Sequence, residues 1–224
     1  MAVLCSGGLD SVVLAADLAR SLDVHPVYVT SGLAWEREEK AMLERALLAF
    51  PAASRVAPLH VLEASVRDVY PPTHWSLAGT APAYDTPDED VYLVGRNVVL
   101  LGKTAVFCAV RGIHRICLGP LAANPFPDAT PEFHQAMERA LSLGLAHSVS
   151  IEAPYRSWTK ADVIRRGADV GAPMGLTMSC MQPVNGVHCG ACSKCRERHD
   201  AFKAAIGQDP TLYARRAGAV QGPG

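Results

Sequence analysis

The sequence predicts an α/β domain built on a parallel sheet. Short apolar runs rich in β-branched residues alternate with helix-periodic stretches along the chain. Strands alternating with helices pair in parallel, because each crossover between neighbouring strands takes a helix. The first of those strands runs into a glycine turn, Ser6-Gly7-Gly8, and from there directly into a helix. Hydrophobic residues make up 49% of the 224 and charged residues 19%. That balance supplies a sizeable core and excludes a disordered chain.

Ala2–Cys5 reads as the first strand, and a helix capped by Asp10 or Ser11 runs on to Arg20. Val24–Thr30 reads as the second strand, with Pro26 near its beginning. Trp35–Phe50 mixes charge with Met42, Leu43, Ala46 and Leu47 on one side, the pattern of a surface helix. Val56–Leu62 is the third strand. Residues 63–95, with Pro71, Pro72, Pro82 and Pro87, read as an irregular connection long enough to be a functional loop. Asn97–Arg111 is a helix, Arg115–Leu118 a buried strand, Pro131–Leu143 a helix, Ser148–Ile151 a short strand and Thr159–Asp169 a helix. A cysteine-rich segment at 180–195 leads into a last helix ending near Ile206. Residues 1–206 then form a single domain, and 207–224 a flexible Gly-rich tail. In a doubly wound parallel sheet, ligands bind beyond the carboxyl ends of the strands. Ser6–Ser11, Thr30–Trp35 and Gly119–Asp128 each follow a strand and are the candidate binding loops.

Composition narrows the function. Lys and Arg number 21 against 22 Asp and Glu, a formal net charge of -1. A dedicated nucleic-acid binder carries a basic excess, which this chain lacks. No apolar run reaches the roughly 18 residues of a membrane span. Met1–Cys5 has neither the charged region nor the long apolar stretch of a secretory signal. The expected location is the cytoplasm, with no membrane or nucleic-acid partner. Seven cysteines, four of them within 180–195, fit a metal site in a reducing compartment better than a disulfide framework.

Ser6-Gly7-Gly8-Leu9-Asp10-Ser11 has the chemistry of a phosphate cradle. Glycines let the backbone approach an anion, and the helix start adds free N–H groups and the positive dipole end. The Ser6 and Ser11 hydroxyls add donors. The Gly-Lys-Ser/Thr ending of a Walker loop is absent, and so is the Gly-x-Gly-x-x-Gly dinucleotide fingerprint. Asp10 would repel a phosphate unless a cation stood between them, which suggests Mg²⁺ there.

Cys180, Cys189, Cys192 and Cys195 have the spacing C-x8-C-x2-C-x2-C. Four thiolates in one short segment can close a tetrahedron around a structural Zn²⁺. The competing arrangements are two disulfides or an iron–sulfur cluster, whose run also begins C-x2-C-x2-C. His188 and His199 flank the group and read as exposed spectators. Cys108 and Cys117 read as small buried hydrophobes, and Cys5 as a strand-end packing residue beside the phosphate loop.

The six-residue loop resembles the PP-loop of ATP pyrophosphatases. Together with the cysteine spacing it resembles the 7-cyano-7-deazaguanine synthase family of queuosine precursor biosynthesis. Gly95-Arg96-Asn97, Pro127-Asp128 with Glu132-Phe133, Thr159-Lys160-Ala161 and Leu176–Cys180 are similar to further stretches of that family. The resemblance implies a Rossmann-like three-layer fold, a homodimer, and an ATP-dependent ligase acting on 7-carboxy-7-deazaguanine. That enzyme adenylates the carboxylate, lets ammonia displace AMP, and uses a second ATP to dehydrate the amide to the nitrile. It implies that Leu4, Cys5, Ser6, Gly7, Gly8, Leu9, Asp10, Ser11, Gly95, Arg96, Asn97 and Gly119 hold ATP, with Asp10, Arg96 and Lys160 at the chemistry.

Two stretches depart from the family. In place of the family's Tyr-Gly-Gln-Arg-His after the second strand stands the apolar-plus-Glu stretch Thr30-Ser-Gly-Leu-Ala-Trp35-Glu36, and the loop Pro120–Phe126 is shorter. Ala129-Thr130 stand where the family has Cys-Arg. All these positions lie on loops expected to face the acyl substrate. They leave open a different carboxylate or amide substrate, or an ATP-binding protein without catalysis.

Overall fold

A computed structural model describes residues 1–215. Five parallel strands, β1 (Ala2–Leu4), β2 (His25–Thr30), β3 (His60–Glu63), β4 (Arg115–Cys117) and β5 (Ser150–Glu152), form one sheet in the order β3-β2-β1-β4-β5. The longer helices are α1 (Leu9–Leu18), α2 (Glu36–Leu48), α4 (Arg96–Arg111), α5 (Pro131–Gly144), α6 (Lys160–Asp169) and α7 (Ser193–Ile206). The α/β parallel-sheet class expected from the sequence is the class observed.

The strands alternate between two apolar faces, as a sheet covered on both sides requires. Val3, Cys5, Tyr28 and Cys117 point into one core with α1, α2, α6 and α7. Ala2, Leu4, Val27, Val29, Ile116 and Leu118 point into the other with α4 and α5. The result is three layers. β1 pairs with β2 through Leu4↔Val27 and with β4 through Val3↔Cys117. The order of strands reverses between β1 and β4, so a crevice opens there between the loops that leave them.

Several boundaries shift for physical reasons. α1 ends at Leu18 rather than Arg20, and its cap residue is Gly8, with no side-chain cap. Asp10 and Ser11 lie inside its first turn. The third strand is shorter than Val56–Leu62: Val56 makes an isolated bridge with Val24, and the ladder resumes at His60. Pro58 between them has no N–H to donate. β5 extends to Glu152, where Arg115 Nε meets Glu152 Oε1 at 2.7 Å. Within 63–95 lie a single turn of helix, α3 (Trp75–Ala78), and a 3₁₀ turn at Asp88–Val91. This connection and the cysteine segment share a third core containing Leu33, Trp35, Val66, Val91, Leu93 and Met178.

Residues 207–215 are not free. Ala214 N–H donates to His188 O at 2.8 Å and Arg215 N–H to Cys189 O at 3.2 Å. Asp209 accepts from Tyr213 Oη at 2.7 Å. The tail expected at 207–224 therefore begins as a strap on the cysteine segment, because its polar groups find backbone partners there. Residues 216–224 lie outside the described residues.

α6 packs closely on α1. Arg166 and Tyr155 both reach Asp17, and Gly167 leaves no room between the helices: a Cβ there would sit 2.9 Å from Val13 Cγ2 and 2.5 Å from Met174 Sδ. Gly167→Ala should cost about 1–3 kcal/mol through overpacking, read as a lowered midpoint in thermal unfolding. An unchanged midpoint would show that the two helices separate easily.

Candidate active site and metal centre

The phosphate loop sits at the β1 end of the crevice and is braced by its own serines. Ser6 N–H donates to Ser11 Oγ at 3.2 Å, Ser11 Oγ donates to Gly8 O at 3.1 Å, and Gly8 N–H donates to Ser6 Oγ at 3.3 Å. The Ser11 hydroxyl here bonds within the loop. The amides of Leu9, Asp10 and Ser11 open the first turn of α1 and have no intrahelical acceptor. Gly7 has φ +78°, and a Cβ on it would fall 2.7 Å from Glu39 O and 3.2 Å from Glu39 Cγ. The loop lies this low over α2 because residue 7 is glycine.

Asp10 is already neutralised by the protein. Lys160 Nζ donates to Asp10 Oδ2 at 2.6 Å and pairs with Glu197 Oε1 at 3.0 Å. Glu197 Oε2 takes Lys194 Nζ at 2.8 Å, and Lys194 also reaches Asp88 at 3.3 Å. Burial alone would lower the Lys160 pKa, but the two carboxylates outweigh it and raise the value. Burial likewise opposes ionisation of Glu197, yet Lys160 and Lys194 bring it down to about 2. Two of the three ammonium protons of Lys160 are engaged, and the group borders the cavity. Asp10 Oδ1 is buried without a hydrogen-bond partner.

Gly95-Arg96-Asn97 opens α4, with Gly95 as a left-handed cap at φ 74°. Asp128 completes that helix start. Its Oδ2 accepts from Asn97 N–H at 2.9 Å, and Asn97 Nδ2 donates to Asp128 O at 3.0 Å. Asn97 and Asp128 therefore fix each other. Arg96 makes no ion pair among the described residues, and its Nε is buried without an acceptor. It borders two adjoining cavities of about 430 and 210 Å³.

Ser6, Gly8, Asp10, Glu39, Arg96 and Gly119 line both cavities. Leu4, Cys5, Val27, Val29 and Leu118 from the strands and their ends, and Leu100 from α4, help line the smaller one. The Cys5 thiol itself is buried, and that burial pushes its pKa up to about 12, as for a packing residue. The larger cavity has aromatic walls. Trp35 and Trp75 stack at 5.7 Å and 10°, and Tyr92 stacks on Phe126 at 5.1 Å. Both departures from the family therefore border this cavity. Glu36 organises the first of them, accepting from Ser31 and Gly32 amides at 2.7 and 2.9 Å.

Several site residues escaped the sequence reading: Glu39, Tyr28, Glu197, Lys194, Trp75 and Arg198. Arg198, 2% exposed, donates to Thr177 Oγ1, Thr211 Oγ1 and Met174 O. A charged residue on an amphipathic helix reads as solvent-facing, and it is tertiary packing that turns two of these inward, Glu197 onto Lys160 of α6 and Arg198 onto Met174 and Thr177. Glu39 did carry a signal, since it falls on the same side of α2 as Leu43 and Ala46, at i+4 and i+7.

The four cysteines of the 180–195 segment are buried and free of disulfides. Their sulfurs lie within 4.8 Å of one another, with 3.9 Å between Cys180 and Cys192 and 3.8 Å between Cys189 and Cys195. A tetrahedral ion about 2.3 Å from each sulfur needs edges of about 3.8 Å. The amides of Gln182 and Cys189 point at Cys180 Sγ, and that of Ala191 at Cys189 Sγ, each at 3.3 Å. This group could hold a metal ion. His188 is buried rather than exposed, and its Nε2 accepts from Ser179 N–H at 3.2 Å. His199 pairs with Asp209 at 3.1 Å.

Glu39 makes stability depend on pH. Burial, only partly offset by Arg96 and by the Tyr28 hydroxyl, lifts its carboxyl from 4.5 to about 8. A raised carboxyl favours the folded state at low pH, and that contribution is lost as pH rises from 4.5 through about 8. Glu39→Gln removes the cost of ionisation. Its unfolding midpoint should exceed that of the wild type by a margin that grows across this range to several degrees. A constant margin in thermal scans from pH 5 to 8 would contradict this.

Among the described residues no helix is long and apolar enough to cross a membrane. Residues 1–206 match the family described as queuosine biosynthesis protein QueC. The chain is 35% identical to the 7-cyano-7-deazaguanine synthase of Methanothrix thermoacetophila, over 94% of this chain and 96% of that protein. It is 34% identical to the enzyme of the same name from Azoarcus, over 96% of each, and 32% identical to that of Anaeromyxobacter dehalogenans, over 95% of each. The phosphate loop, the Gly95-Arg96-Asn97 helix start and the four-cysteine group thus belong to a chain that is a member of the QueC family of 7-cyano-7-deazaguanine synthases.

Proposed function

We propose that this protein is an ATP-dependent carbon–nitrogen ligase that converts 7-carboxy-7-deazaguanine, with ammonia, through the amide to 7-cyano-7-deazaguanine. The observation that carries the reading is the pair of cavities that meet at the phosphate loop, with Arg96 on the wall they share. In this reading the smaller cavity takes the adenosine of ATP against Leu4, Cys5 and Leu118. The larger takes the flat deazapurine between aromatic walls, where offset stacking favours it. Ser6, Gly7, Gly8, Leu9 and Ser11 form the cradle for the phosphates, with Gly119 closing the opposite side of the crevice and Gly95 and Asn97 setting the start of α4.

A carboxylate is a poor electrophile because hydroxide is a poor leaving group, and adenylation supplies a good one. The α-phosphate must then meet the acyl oxygen where the two cavities join. Arg96, with no partner of its own, supplies positive charge at that point. Lys160, anchored on Asp10 and Glu197, offers its third proton to a phosphate or acyl oxygen. Both would stabilise charge that builds on pyrophosphate and on the tetrahedral intermediate. Asp10 Oδ1 is the donor this chain has for a Mg²⁺, which would supply further charge neutralisation on the phosphates. We assign the four-cysteine group to one structural Zn²⁺. An all-sulfur tetrahedral set suits zinc, with no open position for chemistry. Family resemblance carries the homodimer. The exposed line of Val98, Val106 and Val110 on α4 is an apolar surface available to it. The cytoplasm suits free thiols and a small-molecule substrate, and no nucleic acid or membrane is required.

Incubation with 7-carboxy-7-deazaguanine, ATP, Mg²⁺ and ammonium should give the nitrile by mass spectrometry, with AMP and pyrophosphate released. Amide alone, or no ATP-dependent product, would reject the assignment. Arg96→Ala should lower kcat/KM by about 10²–10³-fold, with an unchanged far-UV circular dichroism spectrum. Elemental analysis should find one zinc per chain in a colourless protein. Cys195→Ser should lose that zinc and weaken the anchoring of α7, lowering the unfolding midpoint. Iron and a visible absorption band would overturn the zinc assignment.

A further inference from the structure

The reaction proposed above consumes ammonia, and none of the roles given so far handles it. At neutral pH the nitrogen arrives as ammonium, which has no lone pair, because simple amines keep their proton well above pH 7. It must be held as a cation and deprotonated beside the acyl carbon.

Four acidic residues near this point are engaged elsewhere. Asp10 is paired with Lys160 through Oδ2 and its Oδ1 is the oxygen assigned above to Mg²⁺, Glu197 is paired with Lys160 and Lys194, and Glu36 with two loop amides. Asp128 caps α4. Glu39 is different. It is 7% exposed, yet it lines both cavities at their shared wall. Its Oε2 accepts from Tyr28 Oη at 2.9 Å, and no donor among the described residues reaches Oε1. Gly7 lies against its Cγ, which fixes the carboxylate directly beneath the phosphate loop. The titratable and charged groups facing it are Tyr28 from β2, Arg96 from α4, Glu36 on its own helix and the compensated Asp10 from α1.

We propose that Glu39 binds the ammonium ion at the junction of the two cavities and acts as the general base that releases ammonia from it. This rests on the adenylation reading. The carboxylate takes one proton from ammonium. The freed nitrogen lone pair attacks the activated carbonyl, a C–N bond forms, and the C–O bond to AMP breaks with its electron pair leaving on the AMP phosphate. The excess proton on nitrogen passes to that phosphate, and Glu39 returns its own proton to water through the open cavity. Burial fits the residue to this role, because a base whose conjugate acid titrates near 8 removes a tightly held proton better than an ordinary carboxylate does.

The test compares two nucleophiles. Hydroxylamine is already neutral at pH 7.5 and needs no base to free its lone pair, and its product is the hydroxamate. In Glu39→Gln, kcat/KM for ammonium at pH 7.5 should fall about 100-fold relative to kcat/KM for hydroxylamine. An unchanged ratio would overturn the proposal and reduce Glu39 to a structural residue. Should the variant not fold, the wild type decides. Its kcat/KM for total ammonium should rise to about pH 8 and level off there, while the hydroxylamine value stays flat. An ammonium profile that keeps climbing with the free-ammonia fraction would overturn the base. Carboxylate-dependent exchange of pyrophosphate into ATP, run without any nitrogen nucleophile, isolates the step on which this rests. No exchange in the wild type removes the adenylation reading, whereas exchange with an unchanged nucleophile ratio removes the ammonium site alone.

Discussion

The site depends on the compensation of one carboxylate. Asp10 stands in the first turn of the phosphate-loop helix, where an anionic ligand is to bind, and a lone carboxylate there would repel it. Lys160 removes that conflict at 2.6 Å, and Glu197, itself held by Lys194, keeps Lys160 in place. The chain of alternating charges is partly buried, so it is screened less by salt than a surface pair. It also ties α1, α6 and α7 together at their cavity ends. Cys192 is the cap residue of α7 and Cys195 lies in its first turn, so the cysteine group sets the position of Glu197 two residues later. The cysteine group thus bears on the candidate phosphate loop through one helix turn and two ion pairs. The prediction that Cys195→Ser loosens α7 probes the first link of that chain.

How much of this was legible in the sequence follows from the range of the interactions. The α/β class was legible because strand alternation and helix periodicity are local patterns. So was the phosphate loop, whose six residues are consecutive, and the cysteine group, whose spacing lies within sixteen positions. The partner of Asp10 lies 150 residues away and that of Asn97 lies 31 away. Such pairings are set by which strand ends the sheet brings together, and no local pattern records them. Boundaries moved where one residue overrode a trend, as at Pro58, which interrupts the third strand. The strap at 207–215 was hidden because its bonds onto the cysteine segment run from backbone to backbone, and no side-chain pattern records an acceptor on His188 or Cys189.

The two loops that depart from the family are ordered, and their order has identifiable causes. Glu36 gathers the Ser31 and Gly32 amides, and Trp35 is buried against Trp75. Asn124 Oδ1 accepts from Phe126 N–H at 2.9 Å, and Phe126 stacks on Tyr92. Through Trp35, Trp75 and Phe126 this chain presents aromatic side chains to the larger cavity. A stacked wall grips a flat heterocycle through area and dispersion. Polar discrimination of its ring edges then falls to the remaining polar lining, such as Ser179 and Asn124.

Gly7 and Glu39 connect these features. Strand–helix phosphate loops are usually explained by the approach of backbone to phosphate from above. Here the closest neighbour of Gly7 is below it, on α2. The loop lies this low on α2 only because a side chain is missing at residue 7. The same closeness buries the Glu39 carboxylate, which forms no ion pair among the described residues and has Arg96 as the cation acting on it. Burial without a salt bridge is what raises its proton affinity, while Lys160 and Lys194 hold Glu197 in the opposite state. Two glutamates of one site are thus driven apart by their neighbours alone, one kept ionised as an anchor and the other poised to exchange a proton.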